Sequence, residues 1–367
     1  GLGDVYKRQT LLPLVSVIIP AYNAARFIAE TLESVMTQTY DNLEILVVDD
    51  GSSDHTIETI HKYCQLDPRI QLIQQPNGGV AAARNTAIEV AKGELIAPVD
   101  ADDLWRSDHL EHQVNAMRAG GDRVGVVYSW SIDIDEHSQP LGAFRASRIA
   151  GEVFTSLMAH NFIGNASATM MRRSCLAEVG GYDPSLRDRG AQGCEDWDLY
   201  LRLAEFYEFQ CAPAFTVGYR KLSNSMSCDY RTMAKSHQYV MAVIQQKYPK
   251  LPPYLFHLSA SNLYLYFASQ SLLHQRHDIT QTWLRKAIQI DKLTPFIRPI
   301  FYRLWLQSLV ATQPPSELTN SSQWPSPGQP LPPDSRCSTP VDRSEFQPFL
   351  PDFHPPPFRG RLNQFDC

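Results

Sequence analysis

Short unbroken apolar runs alternate with stretches of helical period through the first hundred residues. Val15-Ser16-Val17-Ile18-Ile19 is rich in β-branched residues and stops at Pro20. Such a run suits a strand covered on both faces, which need not alternate. Residues 24–36 then carry Phe27, Ile28, Leu32 and Val35 at helical spacing. A second strand over 43–48 ends in Asp49-Asp50-Gly51, and Ser53 or Asp54 caps a helix carrying Ile57 and Ile60. A third strand over 70–73, a turn at Asn77-Gly78-Gly79, a helix over 80–91 and a fourth strand over 94–99 follow. Three rounds of strand and helix predict an α/β domain with a mostly parallel, doubly wound sheet that binds ligands at the carboxyl ends of its strands.

Beyond residue 100 the pattern loosens. Strands are expected over 124–128 and 166–171 and a helix over 196–206, and after Arg220 only helical periodicity remains. Within 255–290, Leu263, Phe267, Trp283, Leu284, Ala287 and Ile288 outline an antiparallel helix pair, similar to one tetratricopeptide unit. The run over 296–306 mixes aromatics with Arg298 and Arg303. It can be core or an interfacial membrane helix, and Pro299 and its shortness favour core. From residue 313 the composition changes sharply, with 13 of the 26 prolines in the last 55 residues, as in a disordered tail. Residues 1–13 are set aside as non-native or disordered. This divides the chain into a main domain over 14–220, a helical extension over 221–312 and a tail over 313–367.

Charge narrows the ligands. A net charge of −6 over 367 residues opposes a broad basic grip on nucleic acid, so none is expected as a partner. Seven cysteines without a Cys-x-x-Cys pair indicate neither a disulfide framework nor structural zinc, and a reducing, cytoplasmic setting is the expectation. No uncharged apolar stretch reaches the ~18–20 residues of a membrane span, which leaves peripheral membrane contact as the open alternative.

Three polar stations close the strands: Asp49-Asp50-Gly51, Asn77-Gly78-Gly79 and Asp100-Ala101-Asp102. A dinucleotide fold would need Gly-x-Gly-x-x-Gly after strand one, whereas this chain has Pro20-Ala21-Tyr22-Asn23-Ala24-Ala25. No Walker loop exists either. A nucleotide would therefore be held by Tyr22 over its base or ribose and by Asp50 accepting from it, with a cation on Asp100 and Asp102 for the diphosphate. Each choice has a plainer reading. Asp-x-Asp also makes solvated turns, Arg84 could pair with a structural acid as readily as with a nucleotide, and Asp196 could merely favour a helix dipole. Cys194, without a histidine in its motif, reads as a small buried thiol, and His109 and His112 read as solvated helix-surface residues before metal ligands.

Together these segments carry a resemblance. Residues 15–23, Ser34-Val35-Met36-Thr37-Gln38-Thr39-Tyr40, Val47-Val48-Asp49-Asp50-Gly51-Ser52, Asn77-Gly78-Gly79, Ala83-Arg84-Asn85 and Asp100-Ala101-Asp102-Asp103 resemble the nucleotide-binding half of family 2 glycosyltransferases. Gly180-Gly181-Tyr182-Asp183 and Glu195-Asp196-Trp197-Asp198-Leu199 resemble the acceptor side and its Glu-Asp motif. The likeness spans about 14–210 and implies a GT-A fold, with donor half over 14–120 and acceptor half over 121–220. It also implies inverting transfer from a nucleoside-diphosphate sugar, UDP first among the bases, to a glycan or lipid-linked hydroxyl. By position, Pro20, Ala21, Tyr22, Asp50, Arg84, Asp100 and Ala101 fall on the donor side. Asp102, with Asp100, falls at the seat of Mg²⁺ or Mn²⁺, and Asp196 beside Glu195 at the catalytic base. The rivals are a sugar-nucleotide nucleotidyltransferase, which would show a glycine-rich basic first loop, and a non-catalytic glycan-binding module on the same fold.

Overall fold

The computed structural model describes residues 12–222 and 229–310, in two compact units that divide after Leu251. The helix Tyr230–Lys247 falls in the first of these units. The tail over 313–367 and residues 1–11 lie outside the described residues.

Nine strands form one sheet: β1 (Val15–Ala21), β2 (Leu43–Asp49), β3 (Ile70–Gln74), β4 (Leu95–Pro98), β5 (Leu104–Trp105), β6 (Val124–Ile134), β7 (Pro140–Arg145), β8 (Thr169–Arg172) and β9 (Glu208–Arg220). Their order is β3-β2-β1-β4-β8-β6-β9-β5, with β7 paired to β6. The first four strands are parallel and alternate with helices Ile28–Met36, Thr56–Leu66 and Val80–Val90. Every residue of β1 except Pro20 is buried, which explains its uninterrupted apolar run.

Past β4 the pairing becomes mixed. β8 runs antiparallel to β4 and β6, β9 runs parallel to β6, and β5 closes the edge antiparallel to β9. Three of these strands, β5, β7 and β9, are not announced by the apolar pattern. In β9 the cause is visible: its register against β6 jumps from Ala212 to Phe215 opposite Ser129 and Trp130, so Pro213 sits in a bulge. A bulge tolerates the missing N–H, but the proline and the extra residue spoil the alternation that marks a strand.

The second unit holds helices Pro253–Leu273, His277–Ile290 and Pro299–Val310. Phe267 meets Trp283 edge-on at 4.9 Å and Tyr264 lies 5.3 Å from the same ring, which is the pair expected from the spacing. The third helix turns Phe301 and Leu304 inward, at 4% and 1% exposure, so the pair has a further partner of its own. Among the described residues no helix is long and apolar enough to cross a membrane.

Candidate active site at the carboxyl edge of the sheet

β1 and β2 end side by side, with Ala21 opposite Asp49, and the Asp50 N–H donates to the Ala21 carbonyl at 2.8 Å. The Asp50 side chain is turned toward the glycine station. Its carboxylate accepts from the N–H groups of Gly78 and Gly79 and from Gln75 Nε2, each at 2.7 Å. Gly79 has φ +88°, a conformation that suits glycine and lets both amides face the carboxylate. Since a carboxylate offers about four acceptor positions, Asp50 keeps room for one further donor. Half-buried Pro20 and buried Ala21 finish β1, and Tyr22 follows at 55% exposure. Its loop is braced by Asn23, whose N–H reaches Ser52 Oγ at 2.9 Å and whose Oδ1 accepts from the Ser53 N–H at 2.8 Å. Tyr22 therefore presents an open ring on a held backbone, beside Asp50.

The Asp-x-Asp segment leaves β4 under tight control. Asp100 Oδ1 accepts from Arg84 Nη2 at 2.5 Å, while its N–H donates to Ser167 Oγ at 3.0 Å. That hydroxyl in turn donates to Asp103 Oδ2 at 2.5 Å. Ala101 is buried and small enough to let the chain turn. Asp103 is fully buried and also accepts from the Arg220 N–H at 2.8 Å, so it serves as an internal brace, with its pKa raised well above the usual range by burial. Asp102 differs. No other described residue donates a hydrogen bond to its carboxylate, and burial, reinforced by the charge of Asp100, pushes its pKa up to about 6 against the opposing charge of Arg220. A half-buried carboxylate without a donor, next to a second one, is a site that gains from a cation. Among the described residues no three His, Cys, Asp or Glu side chains converge on a metal position. Two carboxylates fit an ion such as Mg²⁺ or Mn²⁺, which keeps waters and takes its remaining ligands from substrate phosphates.

Arg84 links this segment to the other half of the edge. It is 5% exposed and stacks over Tyr182 at 5.1 Å. Burial works against its charge, but Asp100, Tyr182 and Asp196 outweigh that and raise its pKa. Of its two roles weighed from sequence, the pairing with an acid is the one observed, and that acid is Asp100. Asp196 opens the helix Glu195–Ala204 and accepts from the Trp197 N–H at 2.8 Å. Burial raises its pKa, the charge of Arg84 opposes this, and that of Asp100 adds to it. Arg84 thus pairs with Asp100, while Asp196 feels its charge without a direct bond. Glu195 turns the other way, and its Oε2 accepts from the Gly193 N–H at 2.8 Å.

Several contributors escaped sequence reasoning. The Arg220 side chain is wholly buried and donates to the Asp102 carbonyl at 2.6 Å, the Asp135 carbonyl at 2.9 Å and Glu30 Oε2 at 3.0 Å. Ser167 bridges Asp100 and Asp103, and Asn85 makes reciprocal bonds with the Tyr182 backbone at 2.8 and 2.9 Å. The one signal for any of them was Asn85, inside the Ala-Arg-Asn match. His109 needs correction. It is fully buried rather than solvated, stacks on Trp105 at 4.3 Å and bonds Thr216 Oγ1 at 2.7 Å, and burial lowers its pKa to about 3. His112 is the exposed member, paired with Asp108. Cys194 is a buried thiol whose pKa burial raises, as expected of a bystander.

With the edge assembled, likeness to known proteins can be weighed. Residues 16–180 match the model of glycosyl transferase family 2. That segment, somewhat under half of the chain, is similar to glycosyl transferase family 2. Over 201 residues it is 30% identical to a chondroitin synthase of Pasteurella multocida, an alignment covering 54% of this chain and 20% of that protein. The chain thus spans well under two thirds of that curated relative. Its fold is GT-A, shared with TarS of S. aureus in complex with UDP-GlcNAc, at TM-score 0.56, 16% identity and coverage of 81% and 88% of the two chains. The mannosyltransferase PcManGT of Pyrobaculum calidifontis, in complex with GDP-Man and Mn²⁺, superposes at TM-score 0.51 with 20% identity, covering 82% and 87%. The family match runs through every station of the donor side.

Proposed function

We propose that this glycosyltransferase moves a sugar from a nucleoside-diphosphate donor, with inversion at the anomeric carbon, to a hydroxyl of a glycan or lipid-linked acceptor. The observation that supports the reading is the Arg84 junction, where the guanidinium pairs with Asp100 and stacks on Tyr182 of the acceptor-side segment. In a single displacement one carboxylate takes the acceptor proton while charge grows on the departing diphosphate. Asp196 is the base. Burial raises its pKa, which strengthens it as a proton acceptor, and the charge of Arg84 opposes that rise. Glu195 fixes the turn at Gly193 and so positions Asp196 rather than reacting. Pro20, Ala21 and Tyr22 bound the base and ribose, and Asp50 offers its remaining acceptor position. Asp102 and Asp100 would hold Mg²⁺ or Mn²⁺, which when bound would supply Lewis-acid stabilisation of the leaving group. UDP is the first donor to try, because the TarS complex holds UDP-GlcNAc. A polymer acceptor is supported by the chondroitin synthase likeness.

The test is release of nucleoside diphosphate from UDP-, GDP- and dTDP-sugars with mixed glycan acceptors, with and without Mn²⁺, using Asp102→Asn as control. Metal-dependent release from one donor, lost in the variant, is expected. Release that is indifferent to metal and to Asp102 would leave transfer standing and remove the cation from it.

A further inference from the structure

The helical unit differs in charge from the chain that carries it. Residues 252–310 hold Arg276, Arg285, Lys286, Lys292, Arg298 and Arg303 against Asp278 and Asp291, a net +4 in a chain of −6. No Asp or Glu occurs from 292 to 310. Asp291 is turned into its own chain, where Oδ1 accepts from the N–H groups of Leu293 and Thr294 at 3.1 and 3.0 Å.

In the same stretch large apolar side chains face solvent. Leu293 and Ile297 are each 70% exposed, Leu306 63%, Tyr302 50% and Phe296 44%. They form one surface. Tyr302 donates its hydroxyl to the Phe296 carbonyl at 2.8 Å, which leaves its ring outward, and Leu306 lies one turn further along the helix Pro299–Val310. The opposite side of that helix is satisfied by burial of Phe301, Leu304 and Ser308, so the outward stripe is a second apolar face and not a misplaced core. Exposed Arg303 flanks the stripe, and exposed Lys292 precedes Leu293. An apolar stripe bordered by cations and free of acids suits insertion into the boundary of an anionic bilayer and opposes a second copy of the same cation-bordered face.

We propose that this face of the helical unit, built on Leu293, Ile297, Tyr302 and Leu306 with Lys292 and Arg303 beside them, docks the enzyme on an anionic phospholipid surface. The proposal concerns where the enzyme works and does not depend on which sugar it transfers. The full chain should cosediment with phosphatidylglycerol-containing vesicles and far less with phosphatidylcholine alone, and added salt should weaken the binding. Leu306→Glu with Ile297→Glu should lower vesicle affinity about tenfold or more, because two buried apolar groups become charged. Lys292→Glu with Arg303→Glu should remove the preference for anionic lipid, about fivefold for each cation lost. Circular dichroism and nucleoside diphosphate release in solution should stay at the wild-type level in both variants, which separates loss of docking from loss of fold or catalysis. Folded full-length chain that ignores phosphatidylglycerol vesicles would overturn the proposal. So would binding that both variants retain. Self-association abolished by Leu306→Glu, in the absence of vesicle binding, would assign the face to a second copy and overturn it as well.

Discussion

The parallel half of the sheet, β1 to β4, and the mixed half, β5 to β9, secure their polar groups in opposite ways. In the parallel half partners are near in sequence: Asp50 is held by residues 75 to 79, and Asn23 by Ser52 and Ser53. In the mixed half they come from afar. Ser167 reaches Asp103 across 64 positions and Arg220 reaches the Asp102 carbonyl across 118. The nucleotide side of the edge is therefore held largely from within, with Arg187 reaching Asn77 across 110 positions as an exception, whereas the Asp-x-Asp segment takes its shape only when the later strands close over it. Closing distant chain costs more entropy than closing a turn, so the geometry of Asp102 is the part most exposed to remote damage.

The largest effect expected tests whether the two halves divide the chemistry as they divide the structure. Asp196→Asn should lower turnover about 10²–10⁴-fold with donor affinity nearly unchanged, since it removes base catalysis alone. Asp102→Asn should instead weaken donor and Mn²⁺ binding together, measured by titration calorimetry. Equal losses of donor affinity in both variants would erase the division.

Arg220→Met asks how far the Asp-x-Asp segment depends on the late strands. Removing one member of a buried ion pair costs about 3–5 kcal/mol, and the low end, about 3 kcal/mol, is expected because Glu30 is 40% exposed and can rehydrate. Urea unfolding measures it. Residual folded protein should bind Mn²⁺ more weakly, because the Asp102 carbonyl loses its anchor, while Asp50→Asn should leave the metal alone.

His109 offers a milder probe of the same closure, as it joins the helix His109–Gly120 to Thr216 of β9. Its pKa is about 3 when folded, against an ordinary 6.5, so the folded state excludes a proton that the unfolded chain accepts. Its contribution is whole above about pH 6.5 and is lost progressively as the pH falls toward 3. At pH 5 the loss is about 2 kcal/mol. The His109→Gln variant should show a shallower decline of stability between pH 7 and pH 5, by roughly one proton's worth of slope. An unchanged slope would mean the imidazole is not the sensor.

These differences also explain what could be read in the chain before its fold was known. Strands covered on both faces leave continuous apolar runs, so β1 to β4 and the stations that close them are evident in residues 15–102. Asp196 was found through its neighbours in the Glu-Asp motif. Arg220 was not, because a basic residue ending a strand that Pro213 interrupts looks like the start of a loop. His109 misled for a related reason: Asp108, Glu111 and His112 around it are polar, and only packing by β5 and β9 buries that turn of the helix. What periodicity misses here is burial imposed by segments a hundred residues away.

The smallest effect addresses a side chain that stitches the halves together directly. Asn85 stands in a helix of the parallel half and satisfies both backbone groups of Tyr182, 97 residues later. Asn85→Ala would leave a partly buried N–H and carbonyl to find water, at about 1–2 kcal/mol in urea unfolding. The loss is held to that size because Arg202 independently grips the Val179 and Gly181 carbonyls at 2.8 and 2.7 Å, so the loop keeps a second anchor. Arg202→Met should cost more, because it also strips the largely buried Asp198 of its ion pair at 2.8 Å. The double variant should cost more than the sum of the two, since only then is the Gly180-Gly181-Tyr182 turn released from both sides, and with it the Tyr182 ring beneath Arg84. Strict additivity in that double-mutant cycle would mean the turn is held by its own conformation and not jointly by these two side chains.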